Sequence, residues 1–317
     1  MGIGRKISKE KLEQREGLNK KQEEKEEIFS PEDPKYDFDD IVLPERVREQ
    51  ILNAADYAKN STVVFETWGL GKTHKYSKRL GINLYGASGT GKTMAAHAIA
   101  RHLNRKILIV NYADIESKYV GETPKNLQKV FRVGKETGSI LFFDEADAIL
   151  SRRVTNMTSA TDVSVNQTRS VMLMLMNEYQ DFIIFATNFI SNFDPAFMRR
   201  IAFHVKFEMP DVDCRRELWK RYVPHELPTD LDFQEIAKRY DNISGSDISN
   251  AVLNAAFRAA RHREQTVPKQ YIWQAIEDIL ASKEANQSRE PTVTKRVVSE
   301  TYAKEQLHKD KQEETKL

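Results

Sequence analysis

Short apolar runs and longer helical patterns follow one another along the first two thirds of the chain. Three of the runs have the length and composition of strands that are buried on both faces of a parallel sheet. These runs are residues 82–85, 140–143 and 182–186. Residues 45–58 and 94–103 instead repeat their apolar side chains at helical spacing. Strands interspersed with helices predict an α/β fold with a three-layer core around a parallel sheet.

A smaller helical domain, which we call the lid, is predicted after residue 210. Asp232 and Glu235 have the spacing of a capping box ahead of apolar residues at helical spacing. Ser244 or Ser246 is expected to begin the next helix, and residues 271–281 complete the lid.

The two ends of the chain are highly charged and contain few apolar residues. The N-terminal stretch is predicted to be a charged helix or a disordered arm, and prolines 31 and 34 indicate a linker after it. The C-terminal stretch is predicted to be a flexible tail with a short helix. The expected division is an arm at residues 1–35, an α/β domain at 36–210, the lid at 211–281 and a tail at 282–317.

The most specific signal is a glycine-rich turn between the first strand and the helix that follows it. It has the pattern GxxxxGK[ST], in which backbone N–H groups surround a phosphate, the lysine contacts the β- and γ-phosphates, and the hydroxyl binds Mg²⁺. The residues are Gly86, Ala87, Ser88, Gly89, Thr90, Gly91, Lys92 and Thr93, followed by Met94. This motif predicts a nucleotide site with Lys92 and Thr93 as its charged and metal-binding groups.

Polar side chains follow the second and third apolar runs, where the carboxyl ends of parallel strands meet. Asp144 is expected to hold Mg²⁺ and Glu145 to activate a water molecule, which indicates hydrolysis of the nucleotide rather than transfer of its phosphate. Asn188 is expected near the γ-phosphate or the attacking water. Two neighbouring arginines, Arg199 and Arg200, lie beyond a short helical turn and would by themselves be ordinary surface charge.

Composition narrows the class of partner. The formal net charge of +2 gives no field that would recruit nucleic acid, and no apolar run approaches the length of a membrane span. Cys214 is the single cysteine, which excludes an internal disulfide and, with no signal-peptide core at the N-terminus, favours a reducing, cytoplasmic setting. The chain contains no HExxH motif, so it is not expected to carry a zinc protease.

Taken in order, these motifs resemble the AAA ATPases, and among them the katanin and spastin branch of protein-remodelling enzymes, over residues 36–281. The resemblance implies ATP and Mg²⁺ as cofactors, Ile41 near the adenine, residues 86–93 as Walker A and residues 140–147 as Walker B. It implies that Asn188 is the sensor-1 residue and that Arg199 and Arg200 are arginine fingers that reach a neighbouring subunit.

The resemblance also assigns two further regions. Gly245 and Ser246 match the sensor-2 region, where many other AAA+ groups have an arginine that this chain lacks. One further set of residues matches the first pore loop, whose aromatic residue grips an extended polypeptide. They are Lys118, Tyr119, Val120 and Gly121. A second pore loop would fall within residues 151–167, where the sequence assigns no roles.

The expected protein is therefore a ring-forming ATPase, a homo-oligomer and most simply a hexamer, that remodels or unfolds protein in the manner of a chaperone. A different class stays open, in which the protein is an ATP-driven assembly factor or scaffold for a partner complex and threads nothing. A nucleic-acid remodelling ATPase is disfavoured by the near-neutral charge and by the aromatic pore loop.

Overall fold

The computed structural model describes residues 29–74, 81–116, 122–151, 160–179, 181–188 and 193–287. Its centre is a five-stranded parallel sheet with the strand order β2-β3-β4-β1-β5. The strands are β1 (Gly81–Gly86), β2 (Ile107–Val110), β3 (Ile140–Phe143), β4 (Ile183–Thr187) and β5 (Phe203–Phe207). The sheet confirms the predicted α/β fold and adds β2 and β5, its two outer strands, to the three strands expected.

Helices cover both faces of this sheet, because side chains that alternate along its strands point to opposite sides. One apolar cluster joins Ile82 and Phe142 to Ile51 and Ala95, and the other joins Phe143 to helices on the opposite face. The helices of this α/β part are α1 (Glu45–Thr62), α2 (Lys92–His102), α3 (Tyr112–Ile115), α4 (Glu122–Thr137), α5 (Asp147–Leu150), α6 (Ala160–Glu178) and α7 (Pro195–Met198).

The lid consists of four helices with an apolar cluster of their own, in which Trp219 and Ile272 are fully buried. The helices are α8 (Val212–Tyr222), α9 (Phe233–Arg239), α10 (Gly245–Arg261) and α11 (Lys269–Gln287). Ser244, rather than Ser246, is the residue that caps α10, and it forms a reciprocal capping box with Asp247.

The N-cap of α9 has Asp232 in the expected place, but Glu235 does not complete the expected capping box. Asp232 accepts hydrogen bonds from the amides of Gln234 and Glu235, as an N-cap residue should. The Glu235 carboxylate lies 3.5 Å from the Lys269 ammonium at the start of α11. This residue therefore connects two lid helices.

The expected linker before the α/β part packs against the sheet. Glu32 exchanges two 2.9 Å backbone hydrogen bonds with Ile107 on the outer strand β2, and Phe29 is buried in the second apolar cluster. At the other end, α11 continues to Gln287, beyond the expected end of the lid. Residues 1–28 and 288–317 lie outside the described residues, and the domain boundaries stay predictions. Within the part of the chain described, no helix is long and apolar enough to cross a membrane.

Candidate active site

A cavity of about 310 Å³ lies where the glycine-rich turn, the carboxyl ends of β3 and β4, and the lid meet. Parallel strands present their carboxyl ends at one edge of a sheet, and this is where open α/β folds bind ligands. The lining includes most of the residues that the sequence predicts for nucleotide and metal binding. They are Ile41, Ser88, Gly89, Thr90, Gly91, Lys92, Thr93, Met94, Asp144, Glu145, Asn188, Gly245 and Ser246.

Two glycines of the turn are required by close contacts. Gly86 has a φ of +146°, and a Cβ added there would lie 2.0 Å from the carbonyl oxygen of Phe207 on β5. Gly89 has a φ of +75°, and its added Cβ would lie 2.6 Å from Ser244 Oγ. Glycine tolerates both the backbone conformation and the contact. The turn is therefore fitted between the sheet and the lid.

Lys92 is the first residue of α2 and is only 8% exposed. Its Nζ donates hydrogen bonds to the carbonyl oxygens of Gly86 (2.7 Å) and Ala87 (2.8 Å) and to Asn188 Oδ1 (2.9 Å). Burial lowers the pKa of Lys92, while the carboxylates of Asp144 and Asp147 act in the opposite direction. These contacts place the ammonium at the base of the glycine-rich turn and bring Asn188, which is distant in sequence, to the same point.

Thr93 and Asp144 provide oxygen atoms that fit a Mg²⁺ ion. Thr93 Oγ1 donates a 3.0 Å hydrogen bond to Asp144 Oδ2, so the two side chains meet as the sequence predicts. Among the described residues no group of three or more histidine, cysteine, aspartate or glutamate side chains could hold a metal. Mg²⁺ does not need such a group, since it is usually bound by one or two protein ligands, substrate phosphates and water. Thr93 and Asp144 would hold the ion.

Glu145 is exposed beside Asp144 and has a φ of +49°, a backbone conformation that side chains other than glycine seldom adopt. Its amide donates a 2.9 Å hydrogen bond to Asp144 Oδ1. Strain of this kind is found preferentially at functional sites, where the surrounding structure holds it. Glu145 lines the cavity.

Asp147 orients the strand end that carries Asn188, a role that the sequence did not indicate. Its carboxylate accepts hydrogen bonds from the Thr187 hydroxyl and, at 3.2 Å, from the Asn188 amide. The sequence did show Asp147 as the third carboxylate after β3, following Asp144 and Glu145. Its partner could not be identified, because the two segments are forty residues apart in the sequence.

Another part of the cavity lining is made jointly by the α/β part and the lid. Ile41 is buried there, and Leu218, Arg221 and Tyr222 of α8 also line it. Sequence reasoning identified Ile41 and missed the three α8 residues, whose helix is brought to the cavity only by the tertiary fold. The apolar side chains of Ile41 and Leu218 beside the glycine-rich turn suit a flat base.

The lid also contacts the glycine-rich turn directly. The Ser246 amide donates a 3.3 Å hydrogen bond to the carbonyl oxygen of Gly89, and a Cβ added to Gly245 would lie 3.5 Å from that same oxygen. The start of α10 and the glycine-rich turn are therefore in contact, and the nucleotide-binding role of Gly245 and Ser246 stays a prediction.

The arginine pair does not line this cavity among the residues described. Arg200 donates to Asn177 Oδ1 (2.8 Å) and to the Ala196 carbonyl oxygen (2.7 Å), and Arg199 is exposed beyond α7. Their predicted role in a neighbouring subunit stays a prediction. The predicted first pore loop, Lys118, Tyr119, Val120 and Gly121, lies outside the described residues, as does residue range 152–159 of the second.

A parallel sheet with this cradle and a helical lid defines a P-loop NTPase fold. Residues 82–210 match the family model "ATPase family associated with various cellular activities (AAA)", and residues 230–272 match the model of the AAA+ lid domain. The chain belongs to the AAA ATPase family, and it is an ATPase by class.

Two proteasomal proteins are among the relatives of this chain. The chain is 31% identical to the proteasome-activating nucleotidase of Methanopyrus kandleri, over 80% of this chain and 58% of the relative. It is also 31% identical to the 26S proteasome regulatory subunit 4 homolog of Schizosaccharomyces pombe, over 79% of this chain and 56% of the relative. A third relative, the ATP-dependent zinc metalloprotease FtsH 2 of Sphaerobacter thermophilus, is 28% identical over 83% of this chain and 40% of the relative. The chain thus spans about half the length of these relatives, and the katanin and spastin placement stays a prediction.

Proposed function

We propose that the protein binds Mg²⁺–ATP in this cavity, hydrolyses it within a ring of identical subunits, and uses the energy to remodel or unfold other proteins. The observation that carries the proposal is the meeting of three distant segments. Lys92 bonds to Asn188, and Thr93 bonds to Asp144. The phosphate-binding turn, the acidic strand end and the polar strand end thereby share one cavity.

The proposed chemistry assigns one role to each group. The backbone N–H groups of residues 86–93 and the Lys92 ammonium bind the phosphates. Glu145 accepts a proton from a water molecule as its oxygen attacks the γ-phosphorus, and ADP leaves. Asn188 orients that water, and Asp147 holds Asn188 in place. Mg²⁺, when bound by Thr93 and Asp144, supplies positive charge that offsets the charge developing on the phosphates.

Two substitutions separate nucleotide binding from hydrolysis. Lys92→Ala should abolish ATP binding, because it removes the buried cation from the cradle. Glu145→Gln should bind ATP normally and hydrolyse it at least about 10² times more slowly, the lower range for loss of a general base. Glu178→Gln, an exposed site at the end of α6, is the control. Turnover by Glu145→Gln near the wild-type rate would contradict the assignment of the base.

The ring is tested by mixing two inactive variants. An arginine finger that acts in trans is worth about 10³ to 10⁵ in rate, so Arg199→Ala or Arg200→Ala should be inactive while still binding ATP. Glu145→Gln subunits keep the arginines, and Arg199→Ala subunits keep the base. A mixture should recover part of the activity at mixed interfaces. Absence of recovery, together with activity that does not rise with protein concentration, would refute action in trans.

Protein remodelling is supported by two of the relatives, a proteasome-activating nucleotidase and a 26S proteasome regulatory subunit 4 homolog. Tyr119→Ala should abolish unfolding of a tagged reporter protein and leave most basal ATP hydrolysis intact. Tyr119→Phe should retain much of the unfolding, since ring area rather than the hydroxyl makes the contact. An assembly factor or scaffold predicts instead that Tyr119→Ala changes neither measurement.

A further inference from the structure

Two arginines hold the short 3₁₀ turn Phe38–Asp40, which is followed by Ile41 of the cavity lining. Arg48 of α1 donates a 3.0 Å hydrogen bond to the carbonyl oxygen of Phe38. Arg221 of α8 donates a 2.6 Å hydrogen bond to the carbonyl oxygen of Asp39. The first arginine belongs to the α/β part and the second to the lid. The turn is therefore bonded to both parts of the molecule.

The position of the second bond matters because Arg221 also lines the cavity, as do Asp40 and Ile41 at the end of the turn. At the phosphate end, the lid contacts the cradle through the hydrogen bond from the Ser246 amide to Gly89. The lid therefore bonds to the α/β part at two separate points, through a backbone hydrogen bond to Gly89 and through the Arg221 side chain to the 38–40 turn.

We propose that Arg221 is a positioning residue that latches the lid to the 38–40 turn and slows release of bound nucleotide. This inference rests on the proposed nucleotide site. The acceptor is a backbone carbonyl, so the bond depends on the fold of the turn and not on the Asp39 side chain. A guanidinium suits this role, because its planar fork of donors stays charged at every physiological pH.

The test measures the dissociation rate of ADP that carries a fluorescent group on its ribose, by stopped flow against excess unlabelled ADP. Arg221→Gln should raise this rate about three- to tenfold, the effect of one charge-assisted hydrogen bond at an exposed site. The association rate should change less than about twofold, since a latch acts after binding. Arg221→Lys, which keeps a charged donor, should give an intermediate rate.

Two matched variants separate the latch from general effects of charge. Arg216→Gln removes an arginine from the same helix, where its contacts are Asp213, Glu217 and Gln234. Asp39→Ala removes the Asp39 carboxylate, which lies 3.6 Å from Arg48 and is 95% exposed, and leaves the carbonyl acceptor. Both should keep the wild-type dissociation rate. An equal rate rise in Asp39→Ala and Arg221→Gln would overturn the latch in favour of simple electrostatics.

Other outcomes are equally decisive. A wild-type rate for Arg221→Gln overturns the inference. A change of preference between labelled ADP and GDP, without a general rise in release, means that Arg221 contacts the base and also overturns it. Failure of the wild-type protein to bind labelled ADP at all would refute the nucleotide site itself. That failure would be seen with the wild-type protein before any variant is compared, so it is distinct from failure of the latch.

Discussion

Replacing Gly89 by alanine tests how closely the lid and the phosphate cradle fit. Gly89 has a φ of +75°, and an added Cβ would lie 2.6 Å from Ser244 Oγ and 2.9 Å from the Cβ and Oγ of Ser246. The left-handed backbone alone costs an alanine about 1–2 kcal/mol. The lid or the cradle must also shift, because packed atoms do not approach this closely. We expect the shift to weaken ATP binding as well as stability.

Gly138→Ala is the matched control, because Gly138 has a φ of +64° and its added Cβ would meet nothing within 4 Å. Gly138→Ala should lose about 1–2 kcal/mol of unfolding free energy in urea titrations, and Gly89→Ala should lose more, because its Cβ also displaces the lid or the glycine-rich turn. Only Gly89→Ala should lose ATP affinity, by about tenfold if displacement of the lid removes about 1.4 kcal/mol of binding free energy. Calorimetry in a Glu145→Gln background, where ATP should persist, measures this. Equal ATP affinities for the two glycine variants would refute the reasoning.

Three further predictions concern stability. His97 is buried and its pKa is lowered by burial, with Glu32 raising it and Lys35 lowering it. The unfolded chain therefore binds the proton at a higher pH than the folded chain does, so the free energy of unfolding should drop as the pH falls below about 6.5. The drop should be at most about 1.4 kcal/mol per pH unit, and it should be less steep in His97→Gln. Arg215 is 6% exposed and donates to the Pro210 and Ala237 carbonyl oxygens, so Arg215→Met should cost about 1–3 kcal/mol in urea unfolding, and no loss would contradict that role. Trp219→Ala should cost about 3–5 kcal/mol, whereas Trp68→Ala, at a side chain that is 68% exposed, should stay within about 0.5 kcal/mol by thermal unfolding.

The inner strands β3 and β4 were predictable because each contains a continuous apolar run, as in the four residues before Asp144. The inner strand β1, which contains Asn83, was predictable from the glycine-rich turn that follows it. The outer strand β5 carries the polar residues His204 and Lys206, which hide it from the same reasoning. The phosphate-binding turn was predictable because its glycines, lysine and threonine are adjacent in the sequence. These features are local, and local features can be identified from the sequence.

The part of the cavity that the lid completes was only partly predictable, because it joins segments far apart in the chain. Arg221 and Asp39 are separated by 182 positions, and neither has a pattern that identifies the other. Asp147 was visible as an acidic residue, but its hydrogen bond to Thr187 required the pairing of β3 with β4. Such contacts depend on how the lid and the strands assemble, which the periodicity of the sequence does not specify.

The pairing of Glu32 with Ile107 has a consequence for how the protein can be shortened. β2 lies at one side of the sheet, and an uncovered outer strand is a template on which other chains aggregate. Glu32 occupies the backbone hydrogen-bonding groups of Ile107, and Phe29 is buried in the apolar cluster that includes Leu108 and Val110 of β2. A fragment cut at Tyr36, where resemblance to the family begins, would expose that strand. A version intended for concentrated solutions should therefore begin before Phe29.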